Sequence, residues 1–340
     1  MGKTEAPDRI QKWDILKALL IFLVVLGHLV DYYVDKSSAA RGLYIFIYTF
    51  HMPLFIFIAG LFSKRMVDEK RYDRVFGYLS VFIFDVILRQ IIYRGDLENI
   101  FSSTAAPWYM LSMIFFALAT MFLKRFSPVY VLCFSVVFAC VVGYDVNVGD
   151  FLSISRSLVF LPFYLLGYFC DREKLENFCR GKWKKIVAVI LLAILAVVAF
   201  GFTDEVYWFR PLLTAHYPYR VLGAVSSKFG FLIRLAYYVV SSLVCLCVIV
   251  LVPNKTKFTY ITKIGQRTLS VYVFQELLMA AFRLRIKDLL DNVFPGYGFY
   301  FIFPIAVIGV AVLSLGIFDK IIKAVYKVPL KKNNSTEGTI

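Results

Sequence analysis

The chain has 340 residues, of which 60% are hydrophobic and 18% aromatic, and its mean hydropathy is +0.72. Soluble domains contain roughly 45–50% apolar residues, so this composition excludes an ordinary soluble protein and indicates an integral membrane protein. The formal net charge of +15 does not indicate nucleic-acid binding. The basic segments are short, lie between apolar runs and lack interleaved aromatic residues on which bases stack.

Ten apolar runs along the chain are long enough to cross a hydrocarbon core of about 30 Å as helices. Strands of a membrane barrel would be about half as long and would alternate polar and apolar residues. The predicted fold class is therefore all-α, a polytopic membrane protein with about ten transmembrane helices. The predicted spans are 15–34, 42–62, 75–93, 107–123, 128–144, 154–170, 185–202, 229–252, 268–282 and 298–318.

The distribution of basic residues predicts the orientation of these spans. With the N terminus assigned to the cytoplasm, most of the 38 lysines and arginines lie in the termini and the even-numbered loops. This is the bias of cytoplasmic segments, so we expect a multi-pass protein of the plasma (inner) membrane with both termini in the cytoplasm. Residues 1–325 are predicted to form one membrane domain, and the polar residues 326–340 a disordered cytoplasmic tail. The oligomeric state stays open.

The first predicted helix carries two ionisable residues in an apolar run. In "LKALLIFLVVLGH", Lys17 and His28 are separated by three helical turns and therefore share one face, roughly 16 Å apart. Lys17 lies near enough to the cytoplasmic end to extend its charge into water. His28 lies deeper, where it is either a neutral packing residue bonded to a neighbouring helix or a general acid or base reached from a polar cavity.

The second predicted helix begins with a histidine and a proline in "TFHMPLFIFIAGLFSKR". His51 can approach His28 across the hairpin, either as a packing residue or as the second histidine of a shared polar site. Pro53 should open the helix and free backbone carbonyls, which a membrane tolerates only where a cavity or a neighbouring helix satisfies them.

Two basic residues follow on the cytoplasmic side. Arg71 and Arg74 are one turn apart and form a pair of cations suited to phosphates, although short basic loops are also what orientation signals look like. In the third span, Asp85 and Arg89 are four residues apart and are predicted to pair with each other.

Aromatic residues and an arginine are predicted at the outer ends of the fourth and sixth spans. Trp108 and Tyr109 open one and Arg156 opens the other. They form either part of the interfacial aromatic belt or a sugar platform, in which Arg156 bonds hydroxyls or a phosphate. The longest loop, 203–228, is a candidate re-entrant segment, and its His216 has no assigned role.

The six cysteines are predicted to be small apolar residues without a metal. Cys245 and Cys247 would point to opposite sides of a helix, and no second pair of ligands accompanies them.

Six motifs together resemble one family. "WDILKALLIFLVVLGH", "FHMPLFIFIAG", Arg71-x-x-Arg74, "APWYMLSMIFF", "SRSLVFLPFYLLGYF" and "IGQRTLSVYVFQ" are similar, in this order, to the acyltransferase-3 family of membrane O-acyltransferases, in particular its fucose 4-O-acetylase-like branch. The likeness covers nearly all ten spans. It implies that Lys17 and His28 are the signature of helix one and that the two arginines are associated with acyl-CoA. It implies no permanently bound cofactor, with acetyl-CoA as the acyl donor.

The chain departs from the family at two positions. Many relatives carry a glutamate near the position of Met113 and a histidine at that of Gln275. The first departure removes an obvious carboxylate partner for His28. Asp31, one turn beyond His28, is one candidate that could bond it directly. The complete set of candidates is Asp14, Asp31, Asp85 and Glu276.

The sequence therefore predicts transfer of an acetyl or other acyl group to a hydroxyl of a cell-surface polysaccharide or lipid-linked saccharide. His28, with His51 beside it, would deprotonate the acceptor or carry the acyl group. Lys17 would line the path, and Arg71 and Arg74 would hold the coenzyme phosphates. The identities of the sugar, the hydroxyl and the acyl chain stay open.

Two alternatives involve no acyl transfer. One is a proton-coupled transporter or flippase, whose relay would be Lys17, His28, Asp85 and Arg89. Such proteins carry Gly- or Pro-broken spans in matching halves, which we do not find in the sequence. The other is a structural subunit of a polysaccharide synthase, which needs no histidine pair.

Overall fold

The computed structural model describes residues 11–93, 107–146, 151–223 and 227–327, and every regular element in these ranges is a helix. This confirms the all-α fold class for that part of the chain. The α-helices are α1 (Gln11–Asp31), α2 (Ser38–Tyr48), α3 (His51–Leu61), α4 (Lys64–Asp68), α5 (Tyr72–Tyr93), α6 (Trp108–Leu123), α7 (Pro128–Val141), α8 (Ile154–Phe169), α9 (Arg172–Phe178), α10 (Lys182–Gly201), α11 (Thr203–Tyr207), α12 (Arg210–Thr214), α13 (Gly230–Leu251), α14 (Thr259–Gln266), α15 (Thr268–Ala281), α16 (Lys287–Val293), α17 (Ile302–Leu313) and α18 (Gly316–Lys327). Short 3-10 helices occupy Val142–Tyr144, Phe151–Ser153, Tyr219–Leu222 and Gly298–Phe301, and a π-helical turn occupies Phe282–Ile286.

A helix or helix pair occupies each predicted span, but the helices differ in length. Within the described ranges, five segments are long and apolar enough to cross a membrane by length and composition. These segments are Gln11–Asp31, Ser38–Leu61, Tyr72–Tyr93, Lys182–Gly201 and Gly230–Leu251. Helices α6 and α8 have 16 residues each, about 24 Å of rise, which is less than the hydrocarbon thickness. The protein is a multi-pass helical membrane protein, and the full count of ten spans and the orientation stay predictions.

The last predicted span differs most from expectation. Residues 298–318 were predicted to form one continuous helix, but Gly298–Leu313 and Gly316–Lys327 are two segments bent by 59°. Counted as one broken span, the pair is a sixth candidate crossing. The final helix α18 packs against α5. Of the predicted tail, 326–340, the first two residues belong to α18 and the others lie outside the described residues.

The break between α2 and α3 confirms the expectation for the proline. The chain turns at Thr49 and Phe50, and Pro53 follows in the first turn of α3. Because proline has no N–H, the carbonyl of Thr49 loses its partner within the helix. The Ser241 hydroxyl of α13 donates to this carbonyl at 2.7 Å, so a neighbouring helix satisfies it.

Glycines let the helices around the site pack backbone to backbone. A Cβ added to Gly60 of α3 would collide with the carbonyl of Tyr164 in α8, and one added to Gly167 of α8 would collide with the carbonyl of Phe57 in α3. Small residues at both positions are what allow such close approach of membrane helices. The crossing fixes α3, and with it His51, against α8.

Candidate functional site

One large cavity, of about 970 Å³, lies among the helices. Its walls come from α1 to α6, α8, α12, α15 and α18 and from the segments that connect them. All eight residues predicted for the site line it: Lys17, His28, His51, Arg71, Arg74, Trp108, Tyr109 and Arg156. His216 also lines it, so all three histidines of the chain face the same cavity. The structure brings these residues together, and their roles stay predictions.

The lining of this cavity is rich in positive charge. Two carboxylates face it, Asp31 and Glu276, against eight lysine and arginine side chains. The eight are Lys17, Arg65, Arg71, Arg74, Arg89, Arg156, Arg210 and Arg283. A cavity with this balance favours anionic or strongly polar ligands.

His28 faces the cavity from the last turn of α1, and within the described part of the chain its ring makes no hydrogen bond. The direct bond from Asp31 to His28 is not formed. Asp31 accepts a hydrogen bond of 2.7 Å from the guanidinium of Arg210 instead. Arg210 comes from the long loop 203–228, which the sequence pattern did not connect to helix one.

Two more of the candidate carboxylates are also unavailable to His28. Asp14 forms an ion pair of 2.9 Å with Lys17 and accepts from the amide of Gln266 at 3.2 Å. Lys17 is therefore neutralised within its own helix while its side chain still lines the cavity. Asp85 is fully buried and does not line the cavity.

The predicted pair of Asp85 and Arg89 is not formed. The two carboxylate oxygens of Asp85 have no hydrogen-bond partner among the described residues. The buried Nη1 of Arg89 has none there either. Asp85 is buried, whereas Arg89 faces the cavity beside the ring of Tyr93, 6.0 Å from its centroid. Gln275 of α15 is a second fully buried side chain whose amide atoms have no partner within the described ranges.

Glu276 is the candidate carboxylate that shares the cavity with His28 and has no salt bridge in the described structure. It is 7% exposed, and the hydroxyl of Tyr93 donates to its Oε2 at 3.2 Å. Its charge acts on the His28 ring together with those of Arg156 and Arg89. Of the two carboxylates that line the cavity with His28 in the described structure, Glu276 on α15 is therefore the one without a salt bridge.

His51 begins α3 and is held by its own preceding turn. Its Nδ1 lies 2.9 Å from the carbonyl of Ile47. A carbonyl can only accept, so Nδ1 carries the proton and, in the neutral ring, Nε2 is left as an acceptor. The ring of Tyr48 packs edge-on against the imidazole at 4.7 Å. This bond is local to the turn before α3, and it leaves the acceptor nitrogen Nε2 for other use.

One part of the cavity wall combines an arginine, a tryptophan and a histidine. Arg156 donates from Nη2 to Nδ1 of His216 at 3.0 Å and from Nε to the carbonyl of Thr214 at 3.2 Å. Its guanidinium lies 5.2 Å from the centroid of the Trp108 ring, which stacks on Phe160. The predicted platform residues are therefore in contact, and the apolar face they form suits a sugar ring with hydroxyls at its edge.

Sequence reasoning left His216 unassigned. It lies in the loop between two candidate spans, and burial and the positive charge of Arg156 lower its pKa from 6.5 to about 4. Its ring is neutral near pH 7, and because arginine only donates, Nδ1 must accept and Nε2 carries the proton. The signal that could have found it is its position in the longest loop of a chain with three histidines.

Arg71 and Arg74 stand at the N terminus of α5, at the other end of the site. Arg71 donates to both oxygens of Asp73, at 3.1 and 2.7 Å. Arg74 lies in the first turn of α5, where the helix dipole adds partial positive charge. The two cations are suited to an anion, and Asp73 already engages Arg71.

Metal ligation finds no support in the described ranges. No group of three or more His, Cys, Asp and Glu there is arranged to hold an ion, and the six cysteines are free thiols.

Comparison with known proteins gives one family across nearly the whole chain. The acyltransferase domain model of the acyltransferase-3 family matches residues 10–318. Nodulation protein NolL of Mesorhizobium japonicum is 25% identical over 232 residues, which cover 62% of this chain and 61% of that protein. Nodulation protein NolL of Sinorhizobium fredii is 23% identical over 313 residues, which cover 82% of this chain and 80% of that protein. No solved structure matches the chain significantly.

Proposed function

The chain belongs to the acyltransferase-3 family, and we propose that it transfers an acetyl group, or a related acyl group, from acetyl-CoA to a hydroxyl of a cell-surface polysaccharide or lipid-linked saccharide. The observation that supports this proposal is one cavity whose lining includes His28 and His51, the arginine pair Arg71 and Arg74, and the side chains of Arg156 and Trp108.

The two ends of the cavity suit two different substrates. Arg71 and Arg74 at the N terminus of α5 bind the phosphates of the donor, because charge-assisted contacts to phosphate oxygens are among the stronger hydrogen bonds. A saccharide ring lies against Trp108 and Tyr109 at the other end, and Arg156 donates to its hydroxyls. The bias of basic residues supports a cytoplasmic entrance for the donor, in a protein of ten spans with both termini in the cytoplasm of a cell with an inner membrane.

The histidines carry the chemistry in this proposal. His28 accepts the proton of the acceptor hydroxyl as its oxygen attacks the thioester carbonyl, the new C–O bond forms and the C–S bond breaks. The imidazolium then protonates the departing thiolate of coenzyme A. The acceptor nitrogen Nε2 of His51 receives a hydrogen bond from a neighbouring hydroxyl of the same saccharide and orients the ring. Lys17, neutralised by Asp14, lines the path of the thioester.

Glu276 favours the charged form of His28 in this scheme. A carboxylate near an imidazole stabilises the imidazolium that forms when the hydroxyl loses its proton. No permanently bound cofactor takes part in the proposed reaction, and acetyl-CoA is a substrate that leaves after each cycle.

The transporter alternative gains no support from the cavity. Its relay needs Lys17 and Asp85 in line with His28, but Lys17 is paired with Asp14 and Asp85 does not line the cavity. The histidines and the arginine pair, by contrast, share one space.

The test is transfer of label by the purified full-length protein. We expect radiolabelled acetyl-CoA, incubated with the protein and a membrane extract of its host, to place label in the saccharide or lipid-linked saccharide fraction. The His28→Ala variant serves as the control for carried-over activity. No transfer above that control, with acetyl-CoA and with longer acyl-CoA donors, would overturn the proposal.

A further inference from the structure

The last helix of the described chain reaches the arginine pair. Tyr326, one residue before the end of α18, donates from its hydroxyl to the backbone carbonyl of Arg74 at 3.1 Å. The guanidinium of Arg74 lies 5.9 Å from the centroid of the Tyr326 ring. Tyr326 is half-buried and lines the same cavity as Arg71 and Arg74. A residue from the far end of the sequence therefore belongs to the wall of the arginine site.

The surface of α5 is shaped to receive this ring. A Cβ added to Gly77 would lie 2.6 Å from Cζ of Tyr326 and 2.8 Å from both neighbouring ring carbons, so a side chain at this position would displace the ring. On the other side, Tyr78 packs edge-on against it with centroids 5.7 Å apart. Helix α18 as a whole packs on α5. The ring is held by Gly77, Tyr78 and Arg74, and its orientation toward the cavity is fixed.

We propose that Tyr326 is a specificity-determining residue of the donor site, which holds Arg74 in place and offers its ring to the nucleotide end of acyl-CoA. This inference rests on the proposed function. The donor combines phosphates with a flat adenine ring, and an aromatic side chain next to a cation pair is the combination that binds a stacked base beside its phosphates. The bend between α17 and α18 brings α18 against α5, and Tyr326 therefore lies beside Arg74.

The experiment compares two donors that differ in their nucleotide. Acetyl-CoA carries the adenine and the phosphates, whereas acetyl-pantetheine presents the same thioester without them. For Tyr326→Ala we expect KM for acetyl-CoA to rise about tenfold with kcat little changed, and both constants for acetyl-pantetheine to stay at the wild-type values. Tyr326→Phe keeps the ring and loses the bond to the Arg74 carbonyl, so its KM for acetyl-CoA should rise about twofold to threefold.

A second variant, in helix α5, should change the position of the Tyr326 ring. Gly77→Ala should displace Tyr326 and reproduce the selective loss with acetyl-CoA. Two matched controls should leave both donors unaffected: Gly201→Ala, where an added Cβ has nothing within 4 Å, and Tyr130→Ala, whose side chain is 77% exposed and does not line the cavity.

The outcomes distinguish failure of the inference about Tyr326 from failure of the proposed acyl transfer. An unchanged KM for acetyl-CoA in Tyr326→Ala and Gly77→Ala would overturn the inference alone, and so would an equal loss with both donors, which marks a structural role. A wild-type protein that uses neither acetyl-CoA nor a longer acyl-CoA would overturn the proposed function and the inference together.

Discussion

Asp73 holds Arg71 with two hydrogen bonds, to Nε at 3.1 Å and to Nη2 at 2.7 Å, at the point where the donor phosphates are proposed to bind. The carboxylate and a phosphate therefore compete for the same guanidinium. The side chains are about one-third exposed, so water weakens the pair, and the competition should be modest.

We predict that Asp73→Asn lowers KM for acetyl-CoA by up to about fivefold, since the amide holds the guanidinium less strongly than the carboxylate does. Arg71→Ala and Arg74→Ala should raise KM by tenfold or more, because a charge-assisted contact to phosphate contributes about 1.5–3 kcal/mol. Initial rates as a function of acetyl-CoA concentration measure both effects. Wild-type kinetics in the variant with both Arg71→Ala and Arg74→Ala would exclude a role in donor binding. The two arginines would then serve only to orient the protein in the membrane.

The second prediction concerns the proposed base. His28→Gln keeps a side chain that forms hydrogen bonds but cannot take up the proton, so the rate of acetyl transfer should fall about 10²- to 10⁴-fold. Expression and membrane insertion should stay at the wild-type level, because within the described structure the ring makes no hydrogen bond that would be lost. Rates should be compared from pH 5 to 9. A glutamine variant that transfers at nearly the wild-type rate is incompatible with this role for His28.

The sequence predicted the helices and the residues that face the cavity more successfully than it predicted their partners. Periodicity placed Lys17 and His28 on one face of a helix, and both line the cavity. Pairing depends on which helices become neighbours, which no local pattern encodes. Asp31 illustrates this, because the nearest basic partner in space, Arg210, is 179 residues away in the chain.

Length and breaks of the helices were equally hard to infer. Apolar composition alone does not distinguish a helix that is long enough to cross the membrane from a shorter apolar helix such as α6 or α8. The bend after Leu313 could not be predicted either, since no proline marks it and its result, the contact of Tyr326 with Arg74, joins residues 252 positions apart.

The third prediction tests the carboxylate that faces His28. Removal of the negative charge in Glu276→Gln should make the imidazolium less favourable, so His28 gives up its proton at lower pH. The acidic limb of the pH–rate profile should therefore move to lower pH, and the maximal rate should fall because the transition state loses electrostatic stabilisation. Glu205→Gln, an exposed residue in α11, is the matched control. An unshifted acidic limb in Glu276→Gln would exclude electrostatic coupling between these two residues.

The fourth prediction concerns His216 and acid stability. Burial and Arg156 lower the pKa of His216 from 6.5 to about 4 in the folded protein, whereas in the unfolded chain it returns to its ordinary value. Between these two values the unfolded chain binds more protons than the folded one, so acid favours unfolding: the contribution is complete above about pH 6.5 and is lost progressively as the pH falls toward 4. In His216→Gln the amide oxygen can still accept from Arg156, but the side chain does not titrate. We therefore expect the apparent Tm in detergent to fall less between pH 7.5 and 5 in the variant than in the wild type. If His216→Gln instead changes Tm by the same amount at pH 7.5 and at pH 5, the titration of His216 has no part in acid stability. His216 would then contribute only through packing.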